Sequence, residues 1–314
     1  MPAAGFNPEM RLPTLWTDAP DAMERLRGLY ATGTISQAEA GDLAHFIEHG
    51  WLLWPKAIDS TLVDQVLEDL SRLHALPGRC VTIDPARGVG RRLNGLARRG
   101  TEVFLDLYVN LQSVRQLCMH WRIARFLSLV FQARPLGFQQ AVSQLSPGHA
   151  WHRDTSHAVV NNPMLLATTW IALEDIAEGS GEPAFYDASH RLPPYVFANG
   201  CLHHDGQTSQ VRYARALKEA CLSQSLQQHR LLGNKGDVFF RAPGLVHRNQ
   251  PQTGPEYRSS CLSCVTHYCP ATSIPHWFAD PDLRGIEPFF DFAGFASAHY
   301  RLPNLSQVIR PIPF

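Results

Sequence analysis

Asn234-Lys235-Gly236-Asp237-Val238-Phe239-Phe240-Arg241-Ala242-Pro243-Gly244-Leu245-Val246-His247 reads as turn, strand, turn, short run. Gly-Asp makes a tight turn into an apolar strand, and Pro-Gly then bends the chain into the run that ends at His247. Similar short β-type runs, separated by Pro, Gly, Asn and Asp, fall at 136–145, 165–173, 183–186, 229–232 and 258–268. One helical stretch, about 209–226, interrupts them. Many short strands with turn punctuation predict a β-sandwich or jelly roll buttressed by helices.

Upstream the pattern is helical. Thr17 or Asp18 is expected to cap a short helix at 22–29, and Ser36 another that runs through 46–48. Leu62, Val63, Val66, Leu67 and Leu70 recur at spacings of three and four, one apolar helical stripe over 60–73. A Gly/Arg-rich passage at 79–101 reads as a solvated loop, and a further helix is expected over 114–131. With no internal repeat and no low-complexity linker, a single domain is expected over 1–314. Its parts are a helical section to about 135, a jelly-roll core over 136–270 and an aromatic, Pro-rich wrap over 271–314.

The composition narrows the function classes. Basic and acidic residues balance at 28 each, so no whole-chain field steers the protein to nucleic acid or an anionic membrane. Charged residues make up 18% of the chain, below the usual quarter or so, as in a well-buried globular protein. The seven cysteines are scattered and odd in number, unlike a disulfide framework. The first residues lack the basic start and apolar run of a signal peptide, and no stretch has the apolar length of a membrane span. A reduced, cytoplasmic location is the expectation.

Chemistry concentrates in four residues. His152 and Asp154 are two apart, and in an extended strand such side chains share a face, so an imidazole and a carboxylate can reach one ion. His247 would complete a two-His, one-carboxylate face with open coordination positions, the signature of non-heme Fe(II) oxygenases. Arg258, eleven residues past His247, opens an apolar run where a charge is out of character; its planar fork suits a carboxylate. A His-x-Asp pair alone is a weak signal, and a lone arginine more often pairs with a surface carboxylate.

The order and spacing of these residues resemble the phytanoyl-CoA dioxygenase family of Fe(II)/2-oxoglutarate oxygenases. The stretches Trp170-Ile171-Ala172-Leu173-Glu174-Asp175, Asp187-Ala188-Ser189-His190-Arg191 and His49-Gly50-Trp51-Leu52 are similar to further family segments, so the likeness spans about 40–270. It implies a double-stranded β-helix, mainly β with flanking helices, of the cupin-like jelly-roll kind. It implies that His152, Asp154 and His247 bind Fe(II), and that Arg258 grips 2-oxoglutarate. Gln140 and Gln144 would lend amides to that cosubstrate, Trp170 would pack beside it, and Asn249 stands where the family often has Ser or Thr. The implied reaction consumes O2 and releases succinate and CO2 while hydroxylating an aliphatic C–H, in natural-product or other small-molecule metabolism. Desaturation, oxidative cyclisation or mere binding on the same fold are the alternatives. A carboxylate at Asp154 speaks against the related halogenases, which carry a small residue there.

Other features weigh less. Cys261 and Cys264 are three apart, so in a strand they point to opposite faces and read as buried small residues rather than a zinc pair. Gly88-Val89-Gly90 lacks the context of a nucleotide loop. His157 is a candidate for the substrate side of the iron, and Arg91 and Arg92 for contact with an anionic substrate group. His203-His204 read as surface loop.

Overall fold

The computed structural model describes residues 4–75, 81–84, 88–91, 103–109, 111–143, 148–158, 160–253, 260–273, 275, 287–290 and 293–297. In chain order the helices are α1 (Ala22–Ala31), α2 (Gln37–His49), α3 (Ser60–Ala75), α4 (Gln112–Cys118), α5 (Trp121–Phe131) and α6 (Gln210–Ser223). The first strands are β1 (Gly5–Phe6), β2 (Trp51–Trp54), β3 (Val81–Asp84), β4 (Gly88–Arg91) and β5 (Val103–Leu105). Then come β6 (Pro135–Ser143), β7 (Ala167–Ala172), β8 (Pro183–Tyr186), β9 (Tyr195–Val196) and β10 (Gln228–Arg230). The last are β11 (Val238–Arg241), β12 (His247–Asn249), β13 (Ser263–Pro270), β14 (Glu287–Phe290) and β15 (Ala293–Phe295).

One large sheet runs β2-β11-β7-β13-β6-β5-β3-β4, with β15 joining β6 in parallel; every other pairing in it is antiparallel. A smaller sheet runs β10-β8-β12. Side chains directly opposite across antiparallel strands share a face, so the register sorts the large sheet into two sides. Phe240, Ile171, Cys264 and Val142 pack with Leu43, Phe46, Val63, Val66 and Leu127 of the N-terminal helices in the main core. Trp170 and Phe239 point the other way and join Phe185 of β8 in a second cluster between the two sheets. Helix α6 covers the outside of the small sheet, with Tyr213 and Leu217 against Ala184 and Tyr186.

Local chemistry explains the ends of α2. Ser36 Oγ accepts from Glu39 N at 3.2 Å while Glu39 Oε2 accepts from Ser36 N at 2.8 Å, a reciprocal capping box. Gly50 ends the helix at φ +76, and a Cβ there would lie 2.2 Å from His190 Nδ1, so only glycine fits on both counts.

Three expectations are corrected. Thr17 and Asp18 do not cap α1, whose N-cap is Asp21; they belong to a 3-10 turn, Trp16–Asp18. The helix expected over 114–131 is two, because the chain bends at Met119 and His120 while its apolar residues continue through the corner. Part of the 79–101 passage is the hairpin β3–β4, which extends the large sheet at its edge. Cys261, just before β13, and Cys264, within it, are buried in different hydrophobic clusters, so they do not form a pair of ligands. Among the described residues, no helix is long and apolar enough to cross a membrane.

Candidate metal centre

Pro243-Gly244 turns the chain from β11 of the large sheet into β12 of the small one, which delivers His247 to the gap between them. His152 meets it in an isolated antiparallel bridge: His152 N donates to His247 O at 2.9 Å and His247 N to His152 O at 3.0 Å. Their ring centroids are 4.3 Å apart. Each ring is aimed by a carbonyl two residues before it in the chain. His152 Nδ1 donates to Ala150 O and His247 Nδ1 to Leu245 O, both at 2.9 Å, which leaves each Nε2 without its proton in the neutral ring; His247 Nε2 lies 3.3 Å from Asp154 Oδ1. Burial pulls both imidazoles below their ordinary pKa, His152 strongly, and so keeps them in the neutral form that a metal needs.

Asp154 reaches the same point by a different route from the one expected. His152 sits in a bridge rather than a long strand, Arg153 is extended, and Asp154 opens a 3-10 turn, Asp154–Ser156. The alternation survives across those two residues. Arg153 turns away to donate to Pro193 O at 2.8 Å and Leu192 O at 3.2 Å, while Asp154 faces the histidines. Ligand atoms of His152, Asp154 and His247 all lie within 4.8 Å of one another, and no other group of three or more such residues among those described does so.

The carboxylate is held by groups that the sequence reading missed. Arg241 Nη2 lies 3.4 Å from Asp154 Oδ2 and 3.5 Å from Oδ1, and His267 Nε2 lies 3.4 Å from Oδ1. Burial opposes ionisation of Asp154, but the Arg241 guanidinium beside it outweighs burial and holds the carboxyl well below the usual range. Arg241, Thr168, His267 and Gln139 are successive cross-strand neighbours on β11, β7, β13 and β6, so they form one polar row on this face. The available signal was Arg241 itself, a charge closing the apolar run Val238-Phe239-Phe240.

The polar row bears on what the site can hold. Asp154 Oδ2, Thr168 Oγ1, Arg241 Nε, His267 Nδ1 and the Trp170 indole Nε1 are buried with no hydrogen-bond partner. Such atoms are costly unless a ligand or water meets them. Two neutral imidazoles, an ionised carboxylate and several unmatched donors fit a divalent metal with an oxygen-rich, anionic cosubstrate.

The remaining candidates are placed as follows. Trp170 is buried on the metal-facing side of β7, two residues from Thr168. Gln140 lies on the opposite side of its sheet: it is paired with Thr266, and its Oε1 accepts from Leu107 N at 2.6 Å. The amide on the metal-facing side is Gln139, one residue away, because a strand reverses face at each step. Asn249 is two residues beyond His247 on β12 and so on its face. His157 is exposed at the end of the 3-10 turn, its ring 5.4 Å from that of His152. It lines a cleft of about 370 Å³ with His149, Trp151, His152, His204 and Tyr213, so His204 is more than a surface-loop residue. Arg91 is on the edge strand β4, and Gln144, Arg92 and Arg258 lie outside the described residues.

A family model described as phytanoyl-CoA dioxygenase (PhyH) matches residues 46–260. No curated protein matches the chain. Solved structures do, at low identity. The non-heme alpha-ketoglutarate-dependent epimerase SnoN from nogalamycin biosynthesis superimposes with TM-score 0.56 at 19% identity, over 88% of this chain and 99% of that one. EctD from S. alaskensis, solved with 2-oxoglutarate and 5-hydroxyectoine, gives TM-score 0.58 at 16% identity, over 86% and 84%. The carbocyclase SnoK from nogalamycin biosynthesis gives 0.56 at 16%, over 77% and 86%. These likenesses identify the fold as a cupin-like jelly roll with flanking helices.

Proposed function

This chain belongs to the phytanoyl-CoA dioxygenase family, and we propose that it hydroxylates an aliphatic C–H of a small molecule at a centre built from His152, Asp154 and His247. It is a non-heme iron, 2-oxoglutarate-dependent oxidoreductase. One observation carries the residue assignment: the ligand atoms of two imidazoles and a carboxylate converge within 4.8 Å, with each Nδ1 engaged by a backbone carbonyl.

When bound, iron with 2-oxoglutarate and O2 supplies the oxidant for a C–H bond, with release of succinate and CO2. The protein's residues hold and shield. His152 and His247 would give Nε2, oriented by the carbonyls of Ala150 and Leu245. Asp154 would give one oxygen, with Arg241 and His267 restraining the carboxylate. Arg258, with Trp170 and Asn249 as lesser contributors, is the proposed grip on 2-oxoglutarate. His157 and the cleft beside His152 are the proposed approach for substrate, where Trp151 and Tyr213 offer aromatic walls.

Substrates of the natural-product kind fit the structural likenesses, since SnoN and SnoK come from nogalamycin biosynthesis. The same two structures favour a second reading, epimerisation or ring closure at the same centre. The retained Asp154 carboxylate weighs against halogenation. Anaerobic titration with Fe(II) and 2-oxoglutarate tests the assignment. A visible charge-transfer band is expected in the wild type, lost in His152→Ala and weakened in Arg258→Ala. No band in folded, iron-loaded protein would overturn it. Product mass then separates hydroxylation, a gain of oxygen, from epimerisation or loss of hydrogen.

A further inference from the structure

The last turns of α2 carry a second pair of histidines. His45 and His49 are four residues apart, so their side chains share one face of the helix. Their ring centroids lie 4.3 Å apart with the planes 35° from parallel, and both residues are partly exposed at the surface. Neither belongs to the metal centre or to the cleft beside it. Two histidines at this spacing on one helix face can hold a single ion.

His49 is held in the way a ligating histidine is held. Its Nδ1 lies 3.0 and 3.1 Å from the two oxygens of Asp187, and Asp187 Oδ1 also accepts from the Trp51 indole at 2.8 Å. An ionised carboxylate only accepts, so Nδ1 carries the proton and Nε2 the lone pair of the neutral ring. Glu48 Oε2 lies 3.8 Å from that Nε2, too far for a hydrogen bond, on a side chain that is 71% exposed. His45 is fixed by the Trp51 ring, which meets it edge-on with centroids 4.5 Å apart. Burial and His49 push His45 below its ordinary pKa against the pull of Asp187, Glu48 and Asp42, which keeps its ring neutral. The negative end of the α2 dipole adds to those three carboxylates in favouring a cation at this turn.

We propose that His45 and His49 chelate a second divalent transition-metal ion, of the Zn2+ or Cu2+ kind that imidazole suits, with Glu48 turning in as an oxygen ligand. Water completes the shell, so the ion is exchangeable. Asp187 orients His49 from the far side of its ring. The site does not depend on the reading of the first centre. It stands at the base of the turn that backs His247: Ala188 N donates to His49 O at 3.0 Å, and Ser189 Oγ accepts from Val246 N at 2.8 Å.

Calorimetric titration of the full-length His152→Ala protein with Zn2+ tests this, since the first centre there lacks a ligand. Saturable binding is expected, and adding His45→Ala should weaken it by about tenfold or more. Zn2+ should raise the melting temperature of the His152→Ala protein and not that of the double variant. If His45→Ala does not fold in that background, His45→Gln decides, with the same loss expected. Cu2+ bound to the His152→Ala protein should show electron paramagnetic coupling to the His45 nitrogen, absent once His45 is replaced. No Zn2+ binding in the His152→Ala protein, or equal affinity with and without His45, overturns the proposal and leaves His49 as a structural partner of Asp187.

Discussion

Asp154 and Asp18 are both buried carboxylates, and their surroundings push them in opposite directions. Asp154 is ringed by Arg241, His247 and His267 and stays ionised despite its burial. Asp18 has no hydrogen-bonded partner, and burial raises it to about 7. Burial alone therefore does not decide the state of an acid here; the donors that the fold brings within reach decide it. One region surrounds its acid with a guanidinium and two imidazoles. The other leaves its acid without a donor.

The sharpest way to break that comparison is to remove each acid. Asp154→Ala is expected to abolish the iron–2-oxoglutarate charge-transfer band and lower substrate-dependent succinate formation at least about 100-fold, beyond the effect of losing a supporting residue. Asp18→Asn should leave both within about twofold. Comparable losses in the two variants would show that the regions are not distinct.

A smaller effect comes from uncovering Asp154. Arg241→Leu leaves a buried carboxylate without its countercharge and should cost about 3 kcal/mol in urea denaturation of the metal-free protein. Iron affinity should fall about tenfold or more. Arg241→Lys should recover part of each, and an Arg241→Leu protein with wild-type iron affinity would remove Arg241 from the site.

Smaller again is the pH signature of Asp18. Its folded pKa is raised, so between the ordinary carboxylate range and about pH 7 the folded state binds more protons than the unfolded state. Its contribution to stability is therefore greatest at low pH and declines as pH rises through that window, by up to about 1.4 kcal/mol per pH unit. The difference in stability between wild type and Asp18→Asn should follow this slope in urea melts from pH 4 to 8, whereas a flat difference would mean that Asp18 has partners. The smallest effect is outside both regions: Ser36→Ala removes the α2 cap and should cost about 1 kcal/mol with iron binding unchanged.

Much of the jelly roll was legible from turn punctuation. The runs expected at 136–145, 165–173, 183–186 and 229–232 correspond to β6, β7, β8 and β10 within two or three residues. The bend between α4 and α5 was not, because apolar spacing records which residues are buried and not the direction of the helix axis. The edge hairpin β3–β4 was hidden in an Arg- and Gly-rich passage that has no alternating pattern.

At the candidate site, residue chemistry and spacing marked His152, Asp154 and His247 as ligand types, and the fold brings the three together. Gln140 shows the limit of the same reasoning: one step of register moves a side chain to the other side of a sheet, and Gln139 occupies the metal-facing position. Arg241, Thr168 and His267 come from three strands and become neighbours only through cross-strand pairing. Asp18 resembles a helix cap along the chain and is a buried acid without a donor in space. Residue type and local spacing depend on covalent order, so the chain alone carried much of the strand pattern and the candidate ligand types. Which donors surround each buried acid depends on contacts between distant segments, and those exist only once the sheets and helices have packed.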